Sequence, residues 1–200
     1  MIRFDKVSLR YGKETVIDSL SYEFEKGKVT AILGDSGVGK TTLLNLAASL
    51  LKPSEGKITT GSKRLAYIFQ EARLFPWLTA LENVSTVSNE EKALRMLSLM
   101  GLDDSCSKYP SELSGGMKQR VSIARALSYE PDIILMDEPF SSLDPERRQS
   151  VRDLLFENIK GKTAILVTHN TEDIAYADKV LKLTPPPQTR LVDYFESTKK

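Results

Sequence analysis

The chain has 200 residues, 40% of them hydrophobic and 28% charged, with a formal net charge of +1. That balance describes one compact globular unit, or one core carrying an insertion, and offers no basic field of the kind that draws nucleic acid. Apolar runs such as Ile133–Met136 and Ala164–Val167 are only four to six residues long, against the roughly 20 that a membrane-crossing helix needs. The first residues lack the basic flank and apolar stretch of a signal peptide, and Cys106 is the only cysteine, so the chain is expected in the cytoplasm without an internal disulfide.

Along the chain, Ile2 to Leu9, a turn at Tyr11-Gly12-Lys13 and the alternating stretch Leu20 to Glu25 read as an antiparallel β edge. Val29 to Leu33 reads as a buried strand, followed by a glycine-rich turn and an apolar-periodic helix from Thr41 to Leu51 that Lys52-Pro53 stops. Ile58 and Leu65 to Phe69 offer further strands. Leu78 to Val87 and Glu90 to Met100 read as helices, the second presenting Ala93, Leu94, Leu97 and Met100 on one face. Then come a helix from Gly115 to about Tyr129, a strand Ile133 to Met136, a helix Pro145 to Ile159, a strand Thr163 to Val167, a short helix near Ala175 and a strand Val180 to Leu183. Apolar strands alternating with helices predict a mostly parallel sheet covered on both faces. Pro185 to Pro187 is too short to be a linker of consequence, and the chain has no internal repeat or low-complexity tract.

The glycine-rich turn, Gly34-Asp35-Ser36-Gly37-Val38-Gly39-Lys40-Thr41, satisfies G-x-x-x-x-G-K-[ST] between a buried strand and a helix. Glycines let consecutive N–H groups curve around phosphate oxygens, and the positive end of the helix adds to the attraction. Lys40 is placed to reach the β- and γ-phosphates and Thr41 to give its hydroxyl to Mg²⁺; Thr42 completes the candidate nucleotide-binding set. This loop alone leaves kinases, GTPases, helicases and transport ATPases open. Ser114 can cap the helix beginning near Gly115, with the bare N–H groups of Gly115 and Gly116 forming a second anion site. The apolar strand ending at Asp137-Glu138 delivers two carboxylates to the end of a sheet where ligands bind.

Taken together, Leu113-Ser-Gly-Gly-Met-Lys-Gln-Arg120 resembles the signature motif of the ATP-binding-cassette (ABC) ATPases, and Ile133-Ile-Leu-Met-Asp137-Glu138-Pro139 resembles their Walker B strand. The resemblance runs from Ile2 to Leu183. It implies a P-loop NTPase (RecA-like) α/β fold with an N-terminal antiparallel β subdomain and an inserted α-helical subdomain. The core would comprise 1–71 and 131–200, and the helical subdomain 72–130. It implies ATP and Mg²⁺, with Asp137 holding the metal through water and Glu138 polarising the attacking water. Gln70 resembles the glutamine that touches Mg²⁺ and water, Ser142-Leu143-Asp144 the loop that crosses the dimer interface, His169 the γ-phosphate sensor, and Tyr11 the aromatic that stacks on adenine.

Phe69 to Thr79, with Leu81-Glu-Asn-Val84, is similar to subunits of bacterial importers for nitrate, sulfonates, taurine and related small anions or pyrimidine precursors. That likeness implies a homodimer or paired ATPase subunit at the cytoplasmic face of the membrane, integral membrane permease subunits, a periplasmic or lipid-anchored substrate-binding protein, and no nucleic acid. An exporter or lipoprotein-release ATPase is the alternative. Nucleic-acid ABC ATPases carry coiled coils, zinc modules or tandem cassettes that this sequence lacks. Two departures stand out: the segment Asn83 to Met100 is shorter than usual, and Asn170 follows the histidine where aspartate is common. The chain ends soon after its last expected strand, which predicts no appended regulatory domain. Pro76, Trp77 and Leu78 form an apolar cluster that is either a core plug or a groove for a membrane partner's helix.

Overall fold

A computed structural model describes residues 1–62 and 64–194. In chain order the elements are β1 (Ile2–Tyr11), β2 (Glu14–Phe24), β3 (Val29–Leu33), α1 (Lys40–Ala47), β4 (Glu55–Thr60), β5 (Leu65–Ile68), α2 (Ala80–Ser85), α3 (Glu90–Leu99), α4 (Gly115–Ser128), β6 (Ile133–Asp137), α5 (Pro145–Asn158), β7 (Thr163–Val167), α6 (Thr171–Ile174), β8 (Lys179–Leu183) and β9 (Leu191–Asp193). They form two compact units. The first holds Met1–Leu65, Asp132–Asp137 and the chain from Gly161; the second holds Ala66–Pro131 and Glu138–Lys160. The segment 138–160, expected with the core, thus groups with the helices, where α5 packs on α4.

In the first unit, β2, β1 and β4 make an antiparallel sheet in which Phe4 opposes Tyr22 on one side and Ile58 on the other. Ile2, Phe4, Val7, Leu20 and Phe24 are buried, and Phe4 meets Phe24 edge-on at 6.0 Å between ring centroids. The other strands of this unit run β6-β7-β3-β8-β9, parallel through β8 and antiparallel at β9. Every residue of β6 and β7 is buried. Such strands read as continuous apolar runs instead of alternating ones, which is why they were visible in the sequence.

The second unit is built on α2, α3, α4 and α5. Its apolar stripe on α3 is Ala93, Met96, Leu97 and Met100, while Leu94 is 42% exposed. The expected face was therefore wrong at one position: the i, i+3, i+4, i+7 spacing from Ala93 selects Met96, and Leu94 lies about 100° around the helix from Ala93. Thr79 and Glu82 close a reciprocal capping box that starts α2 two residues later than the sequence suggested.

Two other boundaries differ from expectation. Helix α1 stops at Ala47, before Pro53 can act: Ser49 adopts φ 58°, and the N–H groups of Leu50 and Leu51 both turn back to the carbonyl of Asn45. Strand β9 was missed. Three residues carry no periodicity, and β9 exists only because Leu191 meets Leu183 across β8 while Thr184 and Arg190 close the connection with bonds of 2.8 and 2.9 Å. No helix among the described residues is long and apolar enough to cross a membrane.

Candidate functional site

Register brings the site together in the first unit. Ile32 of β3 and Asp137 of β6 both pair with Val167 of β7, so three strands finish at one edge of the sheet. Ligands of open α/β sheets bind at this carboxyl edge. From it emerge the glycine loop after Leu33, the Asp137 carboxylate, and, two residues beyond Val167, His169.

The loop depends on glycine for two separate reasons at Gly39. Its φ is 104°, outside the range an L side chain tolerates, and a Cβ there would lie 3.1 Å from Ile17 Cδ1 and 3.2 Å from Val16 Cγ1. At Gly34 a Cβ would come within 2.9 Å of Val38 Cγ1. Val38 turns inward, whereas Asp35, Ser36 and Gly37 are exposed. Lys40 is only 7% exposed, and its Nζ donates to the carbonyls of Gly34 at 2.8 Å and Asp35 at 2.9 Å. The loop thus curls around an ammonium group at the start of α1, with Thr42 in the same first turn.

Thr41 Oγ1 donates to Asp137 Oδ2 at 2.7 Å, joining the loop directly to the end of β6. Asp137 is 4% exposed; burial raises its pKa, and the Thr41 hydrogen bond and the Lys40 charge only partly counter this. Burial makes ionisation of this carboxyl less favourable than in water, and positive charge brought to it offsets that cost. Two hard oxygen donors side by side, one of them a desolvated carboxylate, fit a magnesium ion that takes one or two protein oxygens and fills its other positions with water and phosphate. His169 is exposed on the turn after β7. That turn is set by Thr168, whose hydroxyl donates to Asp173 Oδ2 at 2.6 Å and accepts the Asn170 N–H at 3.0 Å. Asn170 caps α6 by accepting the Glu172 N–H, a task asparagine performs as well as aspartate. Tyr11 ends β1 and is 53% exposed.

The second unit holds the other candidates. Ser114 Oγ accepts the Met117 N–H at 3.2 Å, capping α4 as expected. Gly115 faces open space; Gly116 is buried, and a Cβ on it would stand 3.1 Å from the Ser142 carbonyl and 3.5 Å from Asp144 Oδ2. A side chain at 116 would therefore crowd the loop that leads into α5, a reason invisible in the sequence. Glu138 adopts φ 45°, uncommon for a residue with a side chain, and its carbonyl accepts both the N–H and the hydroxyl of Ser141. Gln70 is exposed just beyond β5.

Four supporting residues escaped the sequence reading. Arg120 is buried and donates to the carbonyls of Met100 and Gly101, stabilising the negative end of α3; burial and the nearby Arg147 lower its pKa. Gln119 Nε2 donates to the Phe69 carbonyl at 3.0 Å, Arg125 donates to the carbonyls of Ala72 and Arg73, and Asn83 binds Phe75, Leu78 and Thr79. The available signal was a polar side chain inside an otherwise apolar helical stripe.

A phosphate-binding loop at the carboxyl edge of a parallel sheet, tied by its threonine to a buried aspartate, defines a P-loop NTPase. The family model described as ABC transporter matches residues 17–141. The chain belongs to that family, as an ABC transporter ATP-binding domain, and is an ATPase. It is 41% identical over 90% of its length to the aliphatic sulfonates import ATP-binding protein SsuB 1 of Rhodococcus jostii, covering 78% of that protein. With an ABC transporter ATP-binding protein of Bacillus subtilis, YtlC, identity is 40% over 88% of this chain and 75% of the relative. Among solved structures, the dimeric ATP-binding cassette MJ0796 bound to ADP and Pi superposes with a TM-score of 0.85 at 28% identity, over 98% of this chain and all of the other.

Proposed function

We propose that the chain is the ATP-hydrolysing subunit of an importer for small organic anions of the sulfonate type, working as a pair of copies beneath membrane permease subunits that receive cargo from a substrate-binding protein. The names of relatives near 40% identity support the importer reading. The observation that carries the coupling to a membrane partner is the surface at Phe75, Pro76 and Trp77. Of the expected cluster Pro76, Trp77 and Leu78, the first two are exposed, Trp77 by 69%, and Leu78 is half-buried, so Trp77 plugs no core; the ring of Phe75, 41% exposed, lies 5.7 Å from that of Trp77. Deleting the chain from its host is expected to abolish uptake of a radiolabelled alkanesulfonate, and the unaltered chain to restore it; unimpaired uptake in the deletion strain would overturn the importer reading.

In this reading the loop N–H groups from Gly34 to Thr42 hold the β- and γ-phosphates and Lys40 neutralises the γ-phosphate. Thr41, Asp137 and Gln70 would hold Mg²⁺, which would supply positive charge to the phosphates when bound. Glu138 takes a proton from the water attacking γ-phosphorus as the bond to the bridging oxygen breaks, and His169 contacts the γ-phosphate. Tyr11 stacks on adenine. Ser114, Gly115 and Gly116 of one copy, with Asp144, complete the site of the other.

Two results are expected here. Trp77→Ala should leave the basal ATPase of the isolated subunit within about twofold while cutting transport by the assembled complex about tenfold or more, since hot-spot aromatics commonly contribute over 1.4 kcal/mol, a factor of 10. Unimpaired transport would remove Trp77 from the interface. The second concerns Asp137. A carboxyl whose pKa is raised on folding binds protons better folded than unfolded, so its ionisation weakens the fold progressively as pH rises through that raised value. Asp137→Asn should therefore keep or increase the melting temperature without nucleotide at pH 7 while losing magnesium-dependent hydrolysis. Calorimetry showing a marked fall would mean that the ionised carboxylate supports the fold.

A further inference from the structure

In the turn that displays Trp77, Phe75, Pro76 and Trp77 are all exposed, and Leu78 is its one half-buried apolar side chain. One buried side chain binds both of its ends. Asn83, on α2, has no exposed surface; its Oδ1 accepts the Phe75 N–H at 2.8 Å, and its Nδ2 lies 3.1 Å from the Phe75 carbonyl and 2.9 Å from those of Leu78 and Thr79. Both ends of the displayed turn are therefore tied to one amide, which uses its donor and acceptor sides together. Upstream, Gln119 and Arg125 of α4 bind the carbonyls of Phe69, Ala72 and Arg73, and the Arg125 guanidinium stands 5.7 Å from the Phe75 ring.

We propose that Asn83 is the positioning residue of the permease-docking surface: it locks the turn from Phe75 to Thr79 in one conformation, so that Trp77 is presented pre-organised and moves with α2 and α4 as one body. Pre-organisation matters because a surface ordered only on contact loses part of its binding free energy to that ordering. Neither aspartate nor a smaller side chain can replace this amide. Aspartate has the same shape, but its carboxylate sets an acceptor against three carbonyls; alanine and serine leave those groups without their common partner. The functional consequence rests on the docking role proposed above, whereas the clamp itself is testable in the isolated chain.

Trp77 is the only tryptophan in the sequence, so its fluorescence reports on this turn alone. In the unaltered protein, steady-state anisotropy of Trp77 should be high for so exposed a ring. Asn83→Asp and Asn83→Ser should both lower it, with basal Mg·ATPase within about twofold of the parent, and both should lower transport about as much as Trp77→Ala. Unchanged anisotropy in folded variants would overturn the clamp; lowered anisotropy with full transport would show that the turn is clamped but is not the docking surface. Should neither variant fold, amide exchange in the parent protein decides. The Phe75 N–H, accepted by a buried oxygen, should exchange about 100-fold or more slowly than freely exposed amides of the same chain. Unprotected exchange at Phe75 would overturn the proposal without any substitution.

Discussion

Glu138→Gln is expected to convert the protein from one that binds and discharges ATP into one that binds it and stays closed. If Glu138 is the base, as proposed, glutamine keeps the size and most of the hydrogen bonding of glutamate but removes that function, and leaves the proposed Mg·ATP contacts of Asp137, Lys40 and the partner's Ser114 unaltered. If nucleotide is gripped from both sides, ATP favours the dimer by its differential affinity, and shifting a population from about 1% to about 99% takes a preference of about 10⁴. The variant should elute as a dimer with Mg·ATP and as a monomer without it. Adding Ser114→Arg should abolish the ATP-dependent dimer by filling the anion site. Ser114 is exposed and Gly115 beside it faces open space, so arginine can be accommodated in the monomer. Loss of the Ser114 cap on the Met117 N–H should cost only about 0.5 to 2 kcal/mol of stability. Circular dichroism melts separate that penalty from loss of pairing. A Glu138→Gln protein that remains monomeric at saturating Mg·ATP would count against closure by the isolated subunit, and parental turnover would show that Glu138 is not the base.

Lys40→Ala is expected to lower ATP hydrolysis by about 10² to 10³, or 2.7 to 4 kcal/mol, the usual cost of deleting one preorganised electrostatic contact to developing charge. The position makes the loss hard to compensate. The ammonium is buried within the loop, 2.8 and 2.9 Å from the Gly34 and Asp35 carbonyls, so truncation removes a charge already set in place there. The fold should persist because α1 still buries Leu43, Leu44, Leu46 and Ala47. Turnover within threefold of the parent in a folded preparation would defeat the assignment of this loop to phosphate.

Local chemistry makes much of this protein legible in its sequence. Val29–Leu33 and Thr163–Val167 are strands with the bounds expected from their apolar runs, because strands buried on both faces advertise themselves residue by residue. The glycine loop, the capping serine at 114 and the carboxylate at the end of β6 were equally visible, since each is a short-range requirement: a positive φ, an orphan N–H, a charge at a strand end. Only tertiary structure decided what depends on residues far apart. It placed Thr41 on Asp137 and buried that carboxyl, and the burial raises its pKa against the Thr41 hydrogen bond; it gave Gly116 its packing partners at Ser142 and Asp144, chose Met96 over Leu94 for the inner face of α3, and made a strand of Leu191–Asp193. It also turned Asn83, an ordinary polar residue in a helical stretch, into the clamp of an exposed aromatic turn. The physical division follows from range. Backbone conformation and capping are settled within a few residues, while burial, pairing and the company a polar group keeps are set by chain segments that meet only when the whole sequence folds.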